Sequence, residues 1–267
     1  MACRSKEEMK SLTFFSNLKR FASWIWVLGG LLPANSPAQA PPWQPIGISG
    51  GGGMFSPAIS PADPNLMMLN CDMSAAYISE DGGRNWRMIG HAQLHSDTAC
   101  RPAFHPTNPD IIYASSGGRL KISHDRGKTF APIGNLRDSP GGEIAINPAD
   151  AKIMLAGSRS GRCWVSRDAG ETWTACQGPA GQVIAFHFDR TRQGRSIFAA
   201  TDRGVWRSDG GGQTRLEKTR GLPWKDIQGF AGGSDVAGEL VMLSVRTTLA
   251  APLATSVAVL TAMPTSA

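Results

Sequence analysis

Apolar and polar positions alternate in a pattern that returns about every 43 residues through the middle of the chain. In each repeat a polar, turn-rich stretch precedes a short apolar run, and these runs lie at residues 66–69, 111–114, 153–156 and 197–200. Further short apolar segments lie at 101–105, 143–147 and 182–188. No long stretch shows the 3.6-residue period of an amphipathic helix. The pattern therefore predicts about four short β-strands per repeat, separated by turns.

An octapeptide marks each repeat. Three full copies fit Ser-x-Asp-x-Gly-x-(Thr/Asn)-(Trp/Phe), at residues 79–86, 123–130 and 166–173, and we name them box 1, box 2 and box 3. Their defining residues are Ser79, Asp81, Gly83 and Trp86; Ser123, Asp125, Gly127 and Phe130; and Ser166, Asp168, Gly170 and Trp173. A fourth, decayed copy begins at Ser208, with Gly210 in place of the Asp and Arg215 in place of the aromatic residue. The four serines stand 44, 43 and 42 residues apart, and a fixed period of this size predicts a repeat architecture.

The residue types of the box suit a tight turn between two strands. Asp accepts hydrogen bonds from backbone N–H groups, Gly adopts a positive φ, and the final aromatic side chain can be buried where the next strand begins. No substrate is needed for any of these roles. We therefore interpret Asp81, Asp125 and Asp168 as structural rather than catalytic residues.

The octapeptide resembles the Asp-box, or BNR repeat, which recurs on successive blades of β-propellers in sialidases, sortilin-type receptors and several glycoside hydrolases. The resemblance implies an all-β fold, a β-propeller of four-stranded blades, and the length of each repeat matches one blade. At this repeat length the residues after position 40 suffice for four to five blades of a six- or seven-bladed ring. We expect an incomplete ring.

Both ends of the chain depart from the repeat, which we assign to residues 41–246. Within residues 1–40, basic positions precede the apolar run 21–32 and a small-residue stretch, which is typical of a secretory signal; an uncleaved anchor is the alternative. Residues 239–246 predict one more strand, whereas 247–267 carry no charge and no Gly and predict a disordered or frame-shifted tail. We expect a secreted, periplasmic or cell-envelope protein, without a stable membrane span after signal cleavage.

Net charge and cysteine content indicate which binding partners, disulfides and metal sites to expect. Without residues 1–40 the net charge is +3 and the basic residues are scattered, which argues against a nucleic-acid partner. Four cysteines remain, and an even number in an exported chain favours disulfides. Cys163 and Cys176 face each other if Ser166 pairs with Trp173 across box 3, which leaves Cys71 and Cys100 as a second pair. No Cys-x-x-Cys spacing occurs, so we expect no metal site, and no cofactor is implied.

The segment before box 1 carries a second resemblance. Glycines 50–53, the Pro-rich turn 61–65 and the segment 71–77, Cys-Asp-Met-Ser-Ala-Ala-Tyr, resemble the opening blade of glycoside hydrolase family 74, the xyloglucanases. In that family the corresponding segment reads Thr-Asp-(Ile/Val)-Gly-Gly-Ala-Tyr, and the resemblance implies that Asp72 is a catalytic acid or base. Ser74 and Ala75 replace the two glycines. The alternative is that Asp72 is a solvated or turn-bonded acid at a strand end.

Glycoside hydrolysis by inversion needs two carboxylates about 6.5 to 9.5 Å apart. The resemblance implies that the partner of Asp72 comes from a second propeller. Asp97, Asp138 and Glu143 lie in candidate loops, and no pattern connects any of them to Asp72. Two functions stay open: a secreted propeller that binds or hydrolyses a β-linked polysaccharide, and a non-catalytic propeller scaffold for protein binding or assembly.

Tryptophans at positions 43, 164, 206 and 224 could stack on sugar rings. Trp164 and Trp206 recur at one position of the repeat, two residues before the box serine, and this recurrence favours packing within the blades.

Overall fold

The structure is a computed structural model, and it describes residues 53–73, 75–94, 101–136, 143–158, 160–177, 179, 181–189, 196–209, 216–217, 227–234, 240–248 and 254–261. For residues 216–217, 234, 240–248 and 254–261 only the backbone is described. Several sequence predictions lie outside these residues: the signal segment 1–40, Cys100, Asp97, Asp138, Trp43, Trp224 and the decayed copy beyond Asp209. The chain divides into two compact units, 1–45 and 46–267, and every described residue belongs to the second.

Four antiparallel sheets of four strands form four blades in chain order. Blade 1 contains β1 (Met54–Ile59), β2 (Met67–Cys71), β3 (Ala76–Ser79) and β4 (Arg87–Met88). Blade 2 contains β5 (Ala103–Phe104), β6 (Ile112–Ser116), β7 (Arg119–Ser123) and β8 (Ala131–Pro132). Blade 3 contains β9 (Ile144–Ile146), β10 (Met154–Gly157), β11 (Cys163–Ser166) and β12 (Thr174–Ala175). Blade 4 contains β13 (Val183–Phe188), β14 (Ile197–Thr201), β15 (Gly204–Ser208) and β16 (Leu216–Glu217).

A fifth, three-stranded sheet follows, with β17 (Gly229–Ser234), β18 (Leu240–Thr248) and β19 (Ala254–Thr261). The first strands of the five sheets, β1, β5, β9, β13 and β17, lie next to one another and form the inner wall of the arc. The predicted all-β propeller of four to five blades is confirmed. Each predicted apolar run forms the second strand of its blade, because β-branched and apolar residues fill the two covered faces of an inner sheet position.

The fifth sheet corrects the expectation of a disordered tail over part of its length. Residues 254–261 form β19, which pairs with β18 from Val241↔Thr261 to Thr248↔Ala254. Valine and threonine occupy alternate positions along this segment, and such β-branched residues favour the extended backbone. Among the residues that the structure describes, no helix has the length and apolar character needed to span a membrane.

The hydrophobic core lies between the blades rather than within one of them. Three clusters fill the spaces between successive blades, and their buried members include Met68, Ile78 and Phe104; Tyr113, Met154 and Trp173; and Leu155, Val165 and Phe188. Each blade therefore depends on its neighbours for the burial of its faces, as expected of a repeat protein.

In every full box the serine hydroxyl organises the turn after the third strand. Ser79 is 1% exposed, accepts a hydrogen bond from the N–H of Gly83 (2.8 Å) and donates one to Asp81 (2.9 Å). The Asp81 carboxylate in turn accepts from the N–H of Asn85 (2.9 Å) and from the Asn85 amide (2.6 Å). Boxes 2 and 3 repeat these contacts, with threonine hydroxyls in place of the amide: Ser123, Gly127, Asp125 and Thr129; Ser166, Gly170, Asp168 and Thr172.

These hydrogen bonds fix the charge of the box carboxylates. The backbone N–H and side-chain amide of Asn85 lower the pKa of Asp81 to about 2. Burial opposes the shift at Asp125, but the hydroxyl and N–H of Thr129 still lower its pKa to about 2. The Thr172 hydroxyl likewise lowers the pKa of Asp168. The three carboxylates are therefore ionised hydrogen-bond acceptors at neutral pH.

Each box also joins two turns and two blades. The residue before the box glycine donates its N–H to the turn between the first two strands of the same blade: Gly82 to Asn65, Arg126 to Asp110 and Ala169 to Lys152. The Arg126 guanidinium contacts Asp63 (2.5 Å) and Glu80 (3.3 Å), both of blade 1. The Tyr113 hydroxyl of blade 2 donates to the carbonyl of Ala169 in box 3 (3.1 Å). A box is thus seated on the blade before it.

The fourth copy differs in the position of its acid. Asp209, one place earlier than the Asp of the full boxes, accepts hydrogen bonds from Ser196 (2.7 Å) and Arg207 (2.7 Å). The carboxylate here therefore closes β15 against the start of β14.

Gly134 of blade 2 tests the seating of box 3. It has φ +71°, and a Cβ there would overlap the Gly170 carbonyl oxygen and lie 3.1 Å from that of Glu171. Gly117 has φ +60° with open space around it. We predict that Gly134→Ala lowers the free energy of unfolding by about 3 kcal/mol or more, because strain and overpacking add, and Gly117→Ala by about 1 kcal/mol, from strain alone. Urea unfolding followed by tryptophan fluorescence measures both, and equal losses would contradict the seating of the box.

Candidate functional site

Asp72 stands immediately after β2, and its carboxylate closes the end of the first blade. Its Oδ1 accepts the N–H of Gly53 (2.8 Å), while its own N–H donates to the Gly53 carbonyl (3.2 Å). The Asp72 side chain is otherwise exposed. The structure therefore places this acid at a strand end, with one oxygen engaged by the backbone and the residue open to solvent.

Blade 4 contains the same arrangement. The Asp202 Oδ1 accepts the N–H of Gln182 (2.8 Å), and the Asp202 N–H donates to the Gln182 carbonyl (3.2 Å). Asp202 stands five positions after Ile197, as Asp72 stands five after Met67, so the two are equivalent in the repeat. An acid at this position can thus serve the strand end alone. In the sequence, the equal spacing of the two aspartates from the starts of their second strands indicates this equivalence.

Three carboxylates share one end of the blades. Asp72 and Asp202 follow the second strands, and Glu143 immediately precedes the first strand of blade 3, where its carbonyl accepts the N–H of Gly157 (2.9 Å). Because the strands are antiparallel, second-strand ends and first-strand starts lie at the same end of a blade. The boxes follow the third strands and lie at the opposite end. We name the end with Asp72, Glu143 and Asp202 the acidic end.

Glu143 is the described carboxyl group whose environment is most unusual. Burial raises its pKa to about 7, and the positive charge of Arg101 opposes the shift. A raised carboxyl pKa in a cavity is a feature of candidate binding and catalytic groups.

A cavity of about 660 Å³ runs along the inner wall of the arc. It is lined from blades 2, 3 and 4 and from β17 by Phe104, Pro106, Glu143 to Ile146, Phe186 to Phe188, Gly232 and Gly233, with Pro61 and Pro148. We name it the axial cavity. Glu143 lines this cavity and Asp72 does not, so the structure does not bring these two acids together at one cavity.

Cys163 and Cys176 form a disulfide across the strands that flank box 3, with 5.6 Å between their Cα atoms. Trp164 pairs with Ala175 and Val165 with Thr174, which is the register that brings the two cysteines opposite each other. Cys71 is buried beside Asp72, and its pairing with Cys100 stays a prediction because Cys100 is outside the described residues. Across the described part of the chain, no group of three or more His, Cys, Asp or Glu side chains could hold a metal ion.

The two repeat-related tryptophans lie within blades. Trp164 packs against the core between blades 2 and 3, with the Arg162 guanidinium 5.7 Å from its ring centre. Trp206 lies on β15 opposite Ala199 and Glu217. Neither residue lines the axial cavity.

Comparison with known proteins finds two kinds of relative in sequence and a propeller fold in structure. It is 29% identical over 178 residues to a xyloglucanase of Acetivibrio thermocellus, which covers 56% of this chain and 21% of that enzyme. It is 28% identical over 169 residues to sortilin of Danio rerio, which covers 55% of this chain and 20% of sortilin. The solved structure of an ancestral glycoside hydrolase family 74 enzyme matches 84% of this chain and 32% of its own, with a TM-score of 0.64 and 20% identity.

The chain therefore resembles xyloglucanases and sortilin in sequence over about half of its length, and the structural match shows the propeller fold. It spans about a fifth of the length of these curated relatives. No protein-family model matches the chain.

The pKa of Glu143 predicts how stability varies with pH. The folded chain holds this proton up to about pH 7, whereas the unfolded chain releases it near the ordinary value of 4.5, so stability falls as pH rises between these values. We expect Glu143→Gln to remove this fall and to make the chain about 1 to 3 kcal/mol more stable than the wild type at pH 8. Urea unfolding of both proteins at pH 5 and pH 8 measures the difference; parallel pH profiles would refute the assignment.

Proposed function

We propose that this chain is part of a secreted glycoside-hydrolase-like propeller that binds a β-linked polysaccharide at its acidic end. The observation that carries the proposal is the exposed Asp72 carboxylate at the end of β2, in a segment that resembles the opening blade of glycoside hydrolase family 74. Similarity to xyloglucanases over about half of the chain supports the ligand class. The basic and apolar segment at residues 1–40 supports export.

The geometry of Asp72 suits a polar contact with a sugar. The N–H of Gly53 holds Oδ1 and so fixes the plane of the carboxylate. The residue is exposed at the acidic end, where sugar hydroxyls can donate to it. Met73 beside it is 75% exposed and offers an apolar surface to the C–H face of a sugar ring. Binding therefore needs no rearrangement of the strand end.

Hydrolysis makes a further demand, a second carboxylate across the glycosidic bond from the first. Glu143, whose pKa of about 7 would suit an acid, lines the axial cavity that Asp72 does not line. We therefore propose binding as the function of these blades, and cleavage only where another part of the protein presents a carboxylate to Asp72.

A second candidate function is a protein-binding scaffold. The contact of Asp202 with Gln182 repeats that of Asp72 with Gly53, and the blade 4 contact serves a strand end without any resemblance to a catalytic segment. Similarity to sortilin supports a propeller of this class. The two functions differ in what Asp72 does beyond closing β2.

A matched pair of variants separates them. In Asp72→Asn and Asp202→Asn the amide oxygen still accepts the N–H of Gly53 or Gln182, so each strand end is kept and only the charge is lost. We expect retardation of the wild-type chain in gels containing xyloglucan or mixed-linkage β-glucan. Asp72→Asn should weaken binding about tenfold or more, because a hydrogen bond to a charged group is lost, and Asp202→Asn should bind as the wild type does.

The release of reducing ends from the same polymers tests cleavage in parallel. Absence of retardation on every polymer, or equal behaviour of the two variants, would refute polysaccharide binding at Asp72 and favour the scaffold.

A further inference from the structure

The axial cavity has the dimensions of a ligand site in its own right. Its volume of about 660 Å³ falls inside the range of about 300 to 1,000 Å³ that is usual for small-molecule pockets. Strands of four separate sheets contribute to its wall, namely β5, β9, β13 and β17, and Pro61 adds a turn of blade 1. It extends from the acidic end at Glu143 to the prolines of the turns at the box end, Pro61, Pro106 and Pro148.

The wall combines apolar surfaces with hydrogen-bonding groups. Phe104, Phe186 and the three prolines are apolar residues of the lining. Each of the inner strands β5, β9, β13 and β17 is the first strand of its sheet, so one of its edges has no neighbour within that sheet. Backbone N–H and C=O groups along such an edge are donors and acceptors. A ligand with apolar faces and many hydroxyl groups matches a wall of this kind.

The charges of the wall narrow the class of ligand. Glu143 lies at one end, and an anion in the cavity would be repelled by its carboxylate. The positive charge of Arg101 acts on Glu143 from nearby, so a cation bound at this end would be repelled by a like charge. A neutral ligand avoids both conflicts. Its hydroxyl groups can donate to Glu143 and accept from the backbone.

Two glycines shape the wall contributed by β17. A Cβ at Gly232 would lie 2.5 Å from the His187 ring, so the absence of a side chain lets β17 pack directly on that imidazole. A Cβ at Gly233 would meet no atom within 4 Å. Gly233 also lines the cavity, so β17 presents bare backbone to it at both positions.

We propose that the axial cavity is a second saccharide site, separate from Asp72, which takes a neutral oligosaccharide of a few sugar units with Glu143 as its principal polar contact. The inference rests on the proposed function for its ligand class, and it adds a place of binding along the axis. A chain end of the polysaccharide held at the acidic end could enter it.

Binding at Glu143 has a pH signature. Hydroxyl groups that donate to a carboxylate favour its ionised form, so a bound saccharide lowers the pKa of Glu143 below its value of about 7 in the free chain. Linkage then requires that affinity increase as pH rises through 7. The positive charge of Arg101 acts directly on this carboxyl, and His187 on β13 is a further titratable residue of the cavity wall.

Isothermal titration calorimetry of the full chain with cellotetraose and with a xyloglucan heptasaccharide tests the site. We expect the wild type to bind about tenfold more tightly at pH 8.5 than at pH 5.5. Glu143→Gln should bind about tenfold more weakly at pH 8.5 and lose the pH dependence.

A variant outside the cavity is the control. Asp202→Asn removes a carboxylate from the same end of the blades, and Asp202 does not line the cavity. It should bind the short saccharides as the wild type does. If Glu143→Gln also binds unchanged, the axial site is refuted while polysaccharide binding at Asp72 stands. Failure of the wild type to bind any saccharide, short or polymeric, refutes both proposals.

Discussion

The architecture depends on the buried serine hydroxyl of each full box, which accepts a hydrogen bond from a backbone N–H within the turn. Ser79, Ser123 and Ser166 are each 1% exposed, and each Oγ accepts the N–H of the box glycine at 2.8 Å while donating to the box Asp. A buried N–H without such a partner would carry a desolvation penalty of about 1 to 3 kcal/mol. Because this hydrogen bond fixes the turn, the residue before the box glycine can donate its N–H to the turn between the first two strands of its own blade. The box can also contact the preceding blade.

The carboxylates at the two ends of the propeller differ in their hydrogen bonds and in their exposure. At the box end the carboxylates are occupied by N–H groups and hydroxyls of their own turns, and their low pKa values keep them ionised. At the acidic end Asp72 is exposed, and Glu143 titrates near neutrality. We therefore propose ligand binding at the acidic end and in the axial cavity along the inner strands, while the hydrogen bonds of the boxes stabilise the turns at the other end.

The sequence predicted the fold well because its signals are local. Apolar runs located the second strands, and the octapeptides located the turns with the register that sets Cys163 opposite Cys176. The candidate site was harder to predict from the sequence, because it is assembled from distant parts of the chain. Asp72 and Asp202 occupy equivalent positions in blades 1 and 4, but Gly117, which has no carboxylate, occupies that position in blade 2. Glu143 could be named as a candidate, but its cavity needs strands from four sheets. β19 was missed because an uncharged tail without turn signals resembles disorder as much as a strand.

The central claim is that the boxes belong to the folding core of the propeller and are not surface loops. Native-state hydrogen exchange at the amides of Gly83, Gly127 and Gly170, measured by NMR, tests it directly. The account predicts that these three amides exchange only through global unfolding, with the same protection as amides of the central strands β2, β6 and β10. Exchange of the three glycine amides through low-energy local opening, while the strands stay protected, would contradict it.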